Sequence, residues 1–528
     1  EQCNLIVRKQ KCNLLKFLIT SKYIFLEEKE KKSNQYQSTV DDISDRNLGT
    51  TPAGPSSDQT AIQIQDDDMF MTLNNNHSRS SPISNIPIPS HSPPMARAFL
   101  GSTSSSSPLI ALRISSFTPS FFLTNQRPRS LRPTTGSVVA MAEVPSEKRI
   151  KPHPSLEVIG GGCDQFLPAF KDLDLPYKPF PVIGSNRHLE TIFASFFRTC
   201  PSVNLHRECL RAADNGTVAL DWVTGDDLRL PLDSPVLILL PGLTGGSQDS
   251  YVRHMLVRAR DRGWRVVVFN SRGCGNSPVT TPQFYSASFL GDMREVVAHV
   301  TKRYPKANVY AVGWSLGGNI LVNYLGQDSL TCPLSGAVSL CNPFDLIVAD
   351  EDFRKGFNNV YDKSLARALR KIFNKHAALF TDMPSEFNIR LAAKARTVRD
   401  YDDALTRVSF GFNTVDEYYS KSSSSKFIKD VKIPLLCIQA ANDPIAPNRG
   451  IPREDIKNLT KDSNENPNCM LIVTPRGGHL GWVAGPGAPL GFPWTDPFVI
   501  DFLMYLENQK SKASASSTDL TTAERSLF

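Results

Sequence analysis

Six short apolar runs constrain the fold of this chain more than any other feature. They are 235–240 (PVLILL), 264–269 (WRVVVF), 308–313 (NVYAVG), 336–341 (GAVSLC), 433–440 (IPLLCIQA) and 469–474 (CMLIVT). A run without polar alternation suits a strand covered on both faces. Between the first two, Val252, Met255, Leu256 and Ala259 recur at helical spacing and stop at Gly263, and Met293, Val296, Val297 and Val300 form a second helical stripe. Strand and helix in alternation predict an α/β fold: a mostly parallel central sheet with helices on both faces and ligands at the carboxyl ends of its strands. Upstream, residues 205–223 alternate around Asp214, Asn215 and Gly216, a hairpin signal because Asn and Gly tolerate positive φ. The strand and helix pattern lapses at 342–430. That insertion holds a helical stretch near 364–375, many charges and the Ser422 to Ser425 run, and reads as a helical cap over the site rather than a long surface excursion.

The first 142 residues differ from the rest. Residues 1–94 combine a Lys-rich start, the Asp66 to Asp68 run, the Asn74 to Asn76 run and a Ser/Pro tract, without a lasting period. Such composition buries too little surface to offset chain entropy, so disorder is expected there, or a non-native upstream extension. Residues 95–142 contain five Arg and ten Ser and no acid. This is the composition of an organellar transit peptide, with a plain linker as the alternative, and its Ser/Thr excess favours a chloroplast destination. An N-terminal extension at 143–174, a folded domain at 175–508 and a disordered tail at 509–528 complete the expected organisation. From residue 143 onward 44 basic side chains face 41 acidic ones, so nucleic acid finds no electrostatic footprint. The ten Cys form no C-x-x-C pair, and no apolar stretch reaches membrane-spanning length.

One motif carries chemistry. Gly313-Trp314-Ser315-Leu316-Gly317 matches G-x-S-x-G where a buried strand turns directly into a helix. A nucleophile on that turn needs neighbours without bulk, which Gly313 and Gly317 supply, and the helix start brings unpaired N–H groups to the reacting oxygen. Serine needs a base. In the strand-turn-helix arrangement the partners follow as acid and then His, and of the nine His only His376 and His479 lie after Ser315. His376 falls in the insertion, whereas His479 sits in the loop after the last apolar run. For the acid, Asp443 follows the 433–440 run and Asp345 follows the run before it. Asp443 is preferred, with an Asx-turn as its non-catalytic role. The N–H groups of Leu316 and Leu243 are the candidate oxyanion-hole donors, Leu243 lying in Pro241 to Gly246. No dinucleotide or P-loop fingerprint is present, and neither a metal nor an organic cofactor is implied.

Together these residues resemble the YheT-like branch of the α/β-hydrolases, which includes plant embryogenesis-associated proteins and lipid-directed esterases. The resemblance spans about 175–508 and rests also on Arg187 to Ile192, Leu240 to Gly245, Asn270 to Gly275 and Asn342 to Asp345. It implies the α/β-hydrolase fold and serine hydrolysis of carboxylic esters, acylglycerols or phospholipids among them, with peripheral membrane association compatible. Two other functions fit the same residues. An acyltransferase would deliver the acyl group to an alcohol, and a catalytically silent interaction protein would not react with a fluorophosphonate.

Overall fold

The computed structural model describes residues 151–458 and 468–525. The expectations for 1–142 lie outside them. Strands β1 (Glu157–Ile159), β2 (Leu205–Arg211), β3 (Thr217–Val223), β4 (Val236–Leu240), β5 (Arg265–Asn270), β6 (Val309–Trp314), β7 (Gly336–Leu340), β8 (Leu435–Ala440) and β9 (Cys469–Thr474) form one sheet. Its order is β1-β9-β8-β7-β6-β4-β5-β3-β2. From β5 across to β9 every pair is parallel. β1 pairs antiparallel with β9 at one edge, and the β2–β3 hairpin closes the other. The hairpin turns at Asn215, whose φ is 64°.

The main helices are α1 (Arg187–Phe196), α2 (Ser250–Arg260), α3 (Gly291–Arg303), α4 (Leu316–Asp328), α5 (Leu346–Phe353), α6 (Asn358–Lys375), α7 (Val415–Ser422) and α8 (Thr495–Arg525), with shorter helical turns between them. β4 shows why its sequence is apolar throughout. Leu237 and Leu239 face one layer, where Val252, Met255 and Leu256 of α2 and Phe498 and Phe502 of α8 pack. Val236, Ile238 and Leu240 face the other, against Met293, Val296, Val297 and Val300 of α3 and Leu321 of α4. Burying each large side chain stabilises the fold by about 1.5–3 kcal/mol, so both layers hold the sheet. Among the described residues no helix is long and apolar enough to cross a membrane.

Two expected boundaries are corrected. Residues before 175 are part of the domain: β1 extends the sheet, and Phe166, Phe170 and Leu173 are fully buried beside α8. A three-residue strand is too short to show a period. Nor is 509–525 an irregular tail, since α8 runs on to Arg525. Past Pro497 that stretch has neither Gly nor Pro to stop a helix.

The insertion after β7 is helical and folds back onto the domain. Leu369, Phe373, Phe380, Tyr401 and Leu405 pack with Val279 and Phe284 from the segment after β5, and Leu243 after β4 joins them. Its return end is polar yet buried. Ser422, Ser423 and Ser424 have at most 2% exposure. Asn319 and Asn323 of α4 both donate to the Ser422 carbonyl, at 2.9 and 2.8 Å, and the Ser424 N–H donates to Asn319 Oδ1 at 3.0 Å. The serine run thus fastens the insertion to α4 itself.

Candidate active site

Chain order and sheet order part company at β4. The chain passes from β4 to β5 and then crosses back to β6 on β4's other side, which opens a crevice at the carboxyl ends of β4 and β6. Leu240 lies in register with Gly313, so the loops leaving those two strands meet. Ser315 stands on the second, with φ 53° and ψ −121°. That conformation is costly for an L-residue, on the order of 1–3 kcal/mol, and survives only where the surroundings enforce it. Here they do: a Cβ at Gly313 would stand 2.5 Å from the Gly317 carbonyl oxygen, and one at Gly317 would run into the carbonyls of Leu240 and Pro241. α4 starts immediately after Ser315.

The structure brings Ser315, His479 and Asp443 together. Ser315 Oγ is 3.0 Å from His479 Nε2, and His479 Nδ1 is 2.9 Å from Asp443 Oδ2 and 3.1 Å from Oδ1. All three are buried, at 8%, 5% and 4% exposure, which keeps bulk water from competing for these bonds. An ionised carboxylate only accepts, so Nδ1 carries the proton toward Asp443 and Nε2 is left to accept from the serine hydroxyl. Asp443 Oδ1 also accepts from the N–H groups of Ile445 and Ala446, at 2.7 and 2.8 Å. The Asx-turn and the pairing with His479 therefore coexist, the first aiming the second.

Asp345 does something else. Its Oδ1 accepts from the N–H groups of Ile347 and Val348, at 3.0 and 3.1 Å, and so caps α5. His376 lies at the end of α6 beside the Phe284 ring.

The loop after β4 is held residue by residue. The Gly242 N–H donates to Tyr251 Oη (3.0 Å), Thr244 to Tyr285 Oη (2.9 Å), Gly245 to the Gly242 carbonyl (3.0 Å) and Gly246 to Asp249 Oδ2 (3.2 Å). Among the described residues the N–H of Leu243 is left without an acceptor, as is that of Leu316 at the start of α4. Asp249 is half-buried beneath this loop. Burial pushes its carboxyl up to about 6, against the opposing hydrogen bonds from Gly246 and Tyr251. Asn270 braces the same loop by accepting from Ser247 N–H at 2.9 Å while donating to Asp221 at 2.9 Å.

Sequence reasoning left the Arg187 to Ile192 segment without a role, and it folds as the start of α1 against the His479 loop. Thr191 Oγ1 accepts from the His479 N–H at 2.9 Å, and Glu190 Oε1 from Val483 N–H at 2.8 Å. Tyr251 and Asp249 were also missed. Nothing in a sequence pairs the His479 and Val483 amides with side chains nearly three hundred residues earlier, and Tyr251 and Asp249, though close in sequence to their amides, carry no pattern that marks them as acceptors.

A strand-to-helix serine, a histidine after the last strand and an acid after the strand before it, all on this sheet, define the α/β-hydrolase class. The alpha/beta hydrolase fold family profile matches residues 235–484. The embryogenesis-associated protein EMB8 of Picea glauca is 61% identical over 382 residues, which cover 71% of this chain and 81% of that protein. Phospholipase ABHD3 of Homo sapiens is 34% identical over 300 residues, 56% of this chain and 71% of that one. A monoacylglycerol lipase of Saccharomyces cerevisiae is 35% identical over 270 residues, 49% of this chain and 58% of that one. The chain belongs to the α/β-hydrolase family, in the group that includes EMB8 and ABHD3.

Proposed function

We propose that this protein is a serine hydrolase of lipid carboxylic esters, with Ser315 as nucleophile, His479 as base and Asp443 as the acid that orients it. The unbroken relay from Asp443 through both ring nitrogens of His479 to Ser315 Oγ carries this reading. In the reaction, Nε2 takes the hydroxyl proton as Oγ bonds to the ester carbonyl carbon, and the carbonyl electron pair moves to oxygen. The N–H groups of Leu243 and Leu316 stabilise that oxyanion, on the order of 10²–10³ in rate per donor. Collapse breaks the bond to the leaving alcohol, which takes the proton from Nε2 and leaves an acyl ester on Ser315. Water then gives a proton to Nε2 and attacks the acyl carbon, and as the bond to Oγ breaks Nε2 returns that proton to Ser315 Oγ, releasing the acid and the free serine.

The substrate class is supported by the relatives' names, phospholipase and monoacylglycerol lipase, and by the apolar roof. Leu243 beside the site packs among Phe284, Leu365, Phe373 and Tyr285, surroundings suited to an acyl chain. Peripheral membrane contact belongs to the same proposal. The solvent side of α6 bears Lys363, Lys371 and Lys375 together with exposed Val360, and exposed Phe357 immediately precedes it, a surface complementary to anionic headgroups. A chloroplast location rests on the composition of 95–142 alone, and fusing that segment to a fluorescent protein tests it.

The deciding experiment offers residues 143–528 a panel of monoacylglycerol, phospholipid and graded p-nitrophenyl esters. Turnover that rises with acyl length is expected. No turnover of any ester by folded protein would overturn the proposal.

A further inference from the structure

The loop carrying His479 does not hold its shape unaided. Gly477, Gly478, Leu480 and Trp482 all have positive φ, at 150°, 55°, 60° and 41°, and two of them are not glycine. Leu480 and Trp482 stay in that unfavourable region only because something outside the loop enforces it. Asn442 Oδ1 accepts from the Gly478 N–H at 3.0 Å and Thr474 Oγ1 from the Trp482 indole at 2.9 Å, and α1 with the residues just after it holds the rest of the loop. Thr191 Oγ1 donates its own proton to the Arg187 carbonyl at 2.7 Å, so its lone pairs are turned to the His479 N–H. Glu190 Oε1 accepts from Val483 N–H on the far side of the histidine. Arg198 donates to the Leu480 carbonyl at 2.9 Å and to the Gly481 carbonyl. The approach is close enough to dictate sequence. A Cβ at Gly478 would stand 2.6 Å from Thr191 Oγ1, and one at Gly481 would stand 2.7 Å from Glu190 Cγ. Glu190, Thr191 and Arg198 are buried, at 0%, 4% and 7% exposure.

We infer that Thr191 is a positioning residue for the base: its hydroxyl fixes the backbone of His479 so that Nε2 meets Ser315 Oγ in line, with Glu190 and Arg198 pinning the loop downstream. This rests on the serine hydrolase reading above. Thr191 acts through the His479 amide, and a displacement of about 1 Å in a reacting group can cost on the order of 10² in rate.

The test uses the full chain, with fluorophosphonate labelling of Ser315, steady-state kinetics and the melting temperature measured together. Thr191→Val keeps shape and loses the acceptor, whereas Thr191→Ser keeps both the acceptor and the hydroxyl proton. Thr191→Val should slow labelling and kcat at least tenfold with KM within about twofold, and Thr191→Ser should recover labelling to within about threefold. In wild type, proton NMR should show the downfield His479 Nδ1–H resonance, which should broaden or shift in Thr191→Val. If Thr191→Val does not fold, Thr191→Cys, a weaker acceptor of similar size, takes its place with the same expectation. A wild type that labels, beside a folded variant that labels equally fast and differs only in melting temperature, overturns the inference alone. A wild type that does not label overturns the serine reading and this inference with it.

Discussion

The carboxyl edge of the sheet and the insertion above it are built by different physics. At the sheet edge, loops leave strands whose side chains are buried on both faces, and the backbone ladder fixes where each loop begins. Leu240 opposite Gly313 sets the distance between the loop after β4 and the elbow before any loop residue is specified. The insertion owes its position at its return end to buried polar pairs. The Ser422 to Ser424 turn sits on Asn319 and Asn323, while within the insertion itself the Asp362 carboxylate accepts from the Val398 N–H at 2.7 Å and Asp402 accepts from Tyr419 Oη at 2.9 Å. Apolar packing tolerates exchange of one hydrocarbon for another, whereas a buried polar pair fails when either member is lost. Chemistry at the edge and attachment of the roof should therefore respond separately to mutation.

Asp443→Asn should show the largest effect. The amide no longer offers His479 Nδ1 a purely accepting partner, and turnover should fall by about 10⁴ while the melting temperature moves little. Steady-state kinetics on the folded variant check this, and a fall of less than tenfold would detach Asp443 from the relay. Asn319→Leu strikes the other region. It leaves the buried Ser424 N–H without its acceptor and should cost about 1–3 kcal/mol in chemical denaturation. Unchanged stability would mean that the serine turn is not what fastens the insertion.

Asp402 sharpens the contrast through pH. Burial pushes its carboxyl up to about 7, opposed by hydrogen bonds from Thr406 and Tyr419. An unfolded Asp releases its proton near 4. Between those values the folded state binds more protons, so this group's contribution is intact below about pH 4 and is lost as pH rises through 7. Asp402→Asn should therefore stabilise the protein at pH 8 and have little effect at pH 4, which denaturation at the two pH values reads directly. A gain equal at both would place its origin elsewhere. Asp345→Ala should be the mildest change: loss of the α5 cap costs about 1 kcal/mol, with turnover within about twofold. A large fall in turnover would shift the acid's role toward β7.

The same contrast explains what the sequence disclosed. The strands from β4 to β9, the elbow, and the choice of His479 over His376 follow from apolar runs, glycine spacing and chain order, all local or ordinal signals. The 235–240 run differs from β4 by one residue. What stayed hidden was pairwise and distant. The burial of the serine run was not legible because nothing in its own composition points to Asn319 a hundred residues earlier. Thr191 was visible as part of a family segment but not as the partner of an amide 288 residues away. β1 is too short for any period, and the continuation of α8 depends on the absence of a stop, which is a weaker signal than the presence of one.

The central claim is that Ser315, activated through His479 and Asp443, forms the covalent acyl intermediate. Treating wild type and Ser315→Ala with a fluorophosphonate, then locating the adduct by peptide mass spectrometry, addresses it most directly. The account predicts one adduct on the peptide containing Ser315, with ester turnover lost in step with labelling, and neither label nor turnover in Ser315→Ala. Undiminished turnover by a folded Ser315→Ala, or an adduct on another serine that accounts for the lost activity, would contradict it.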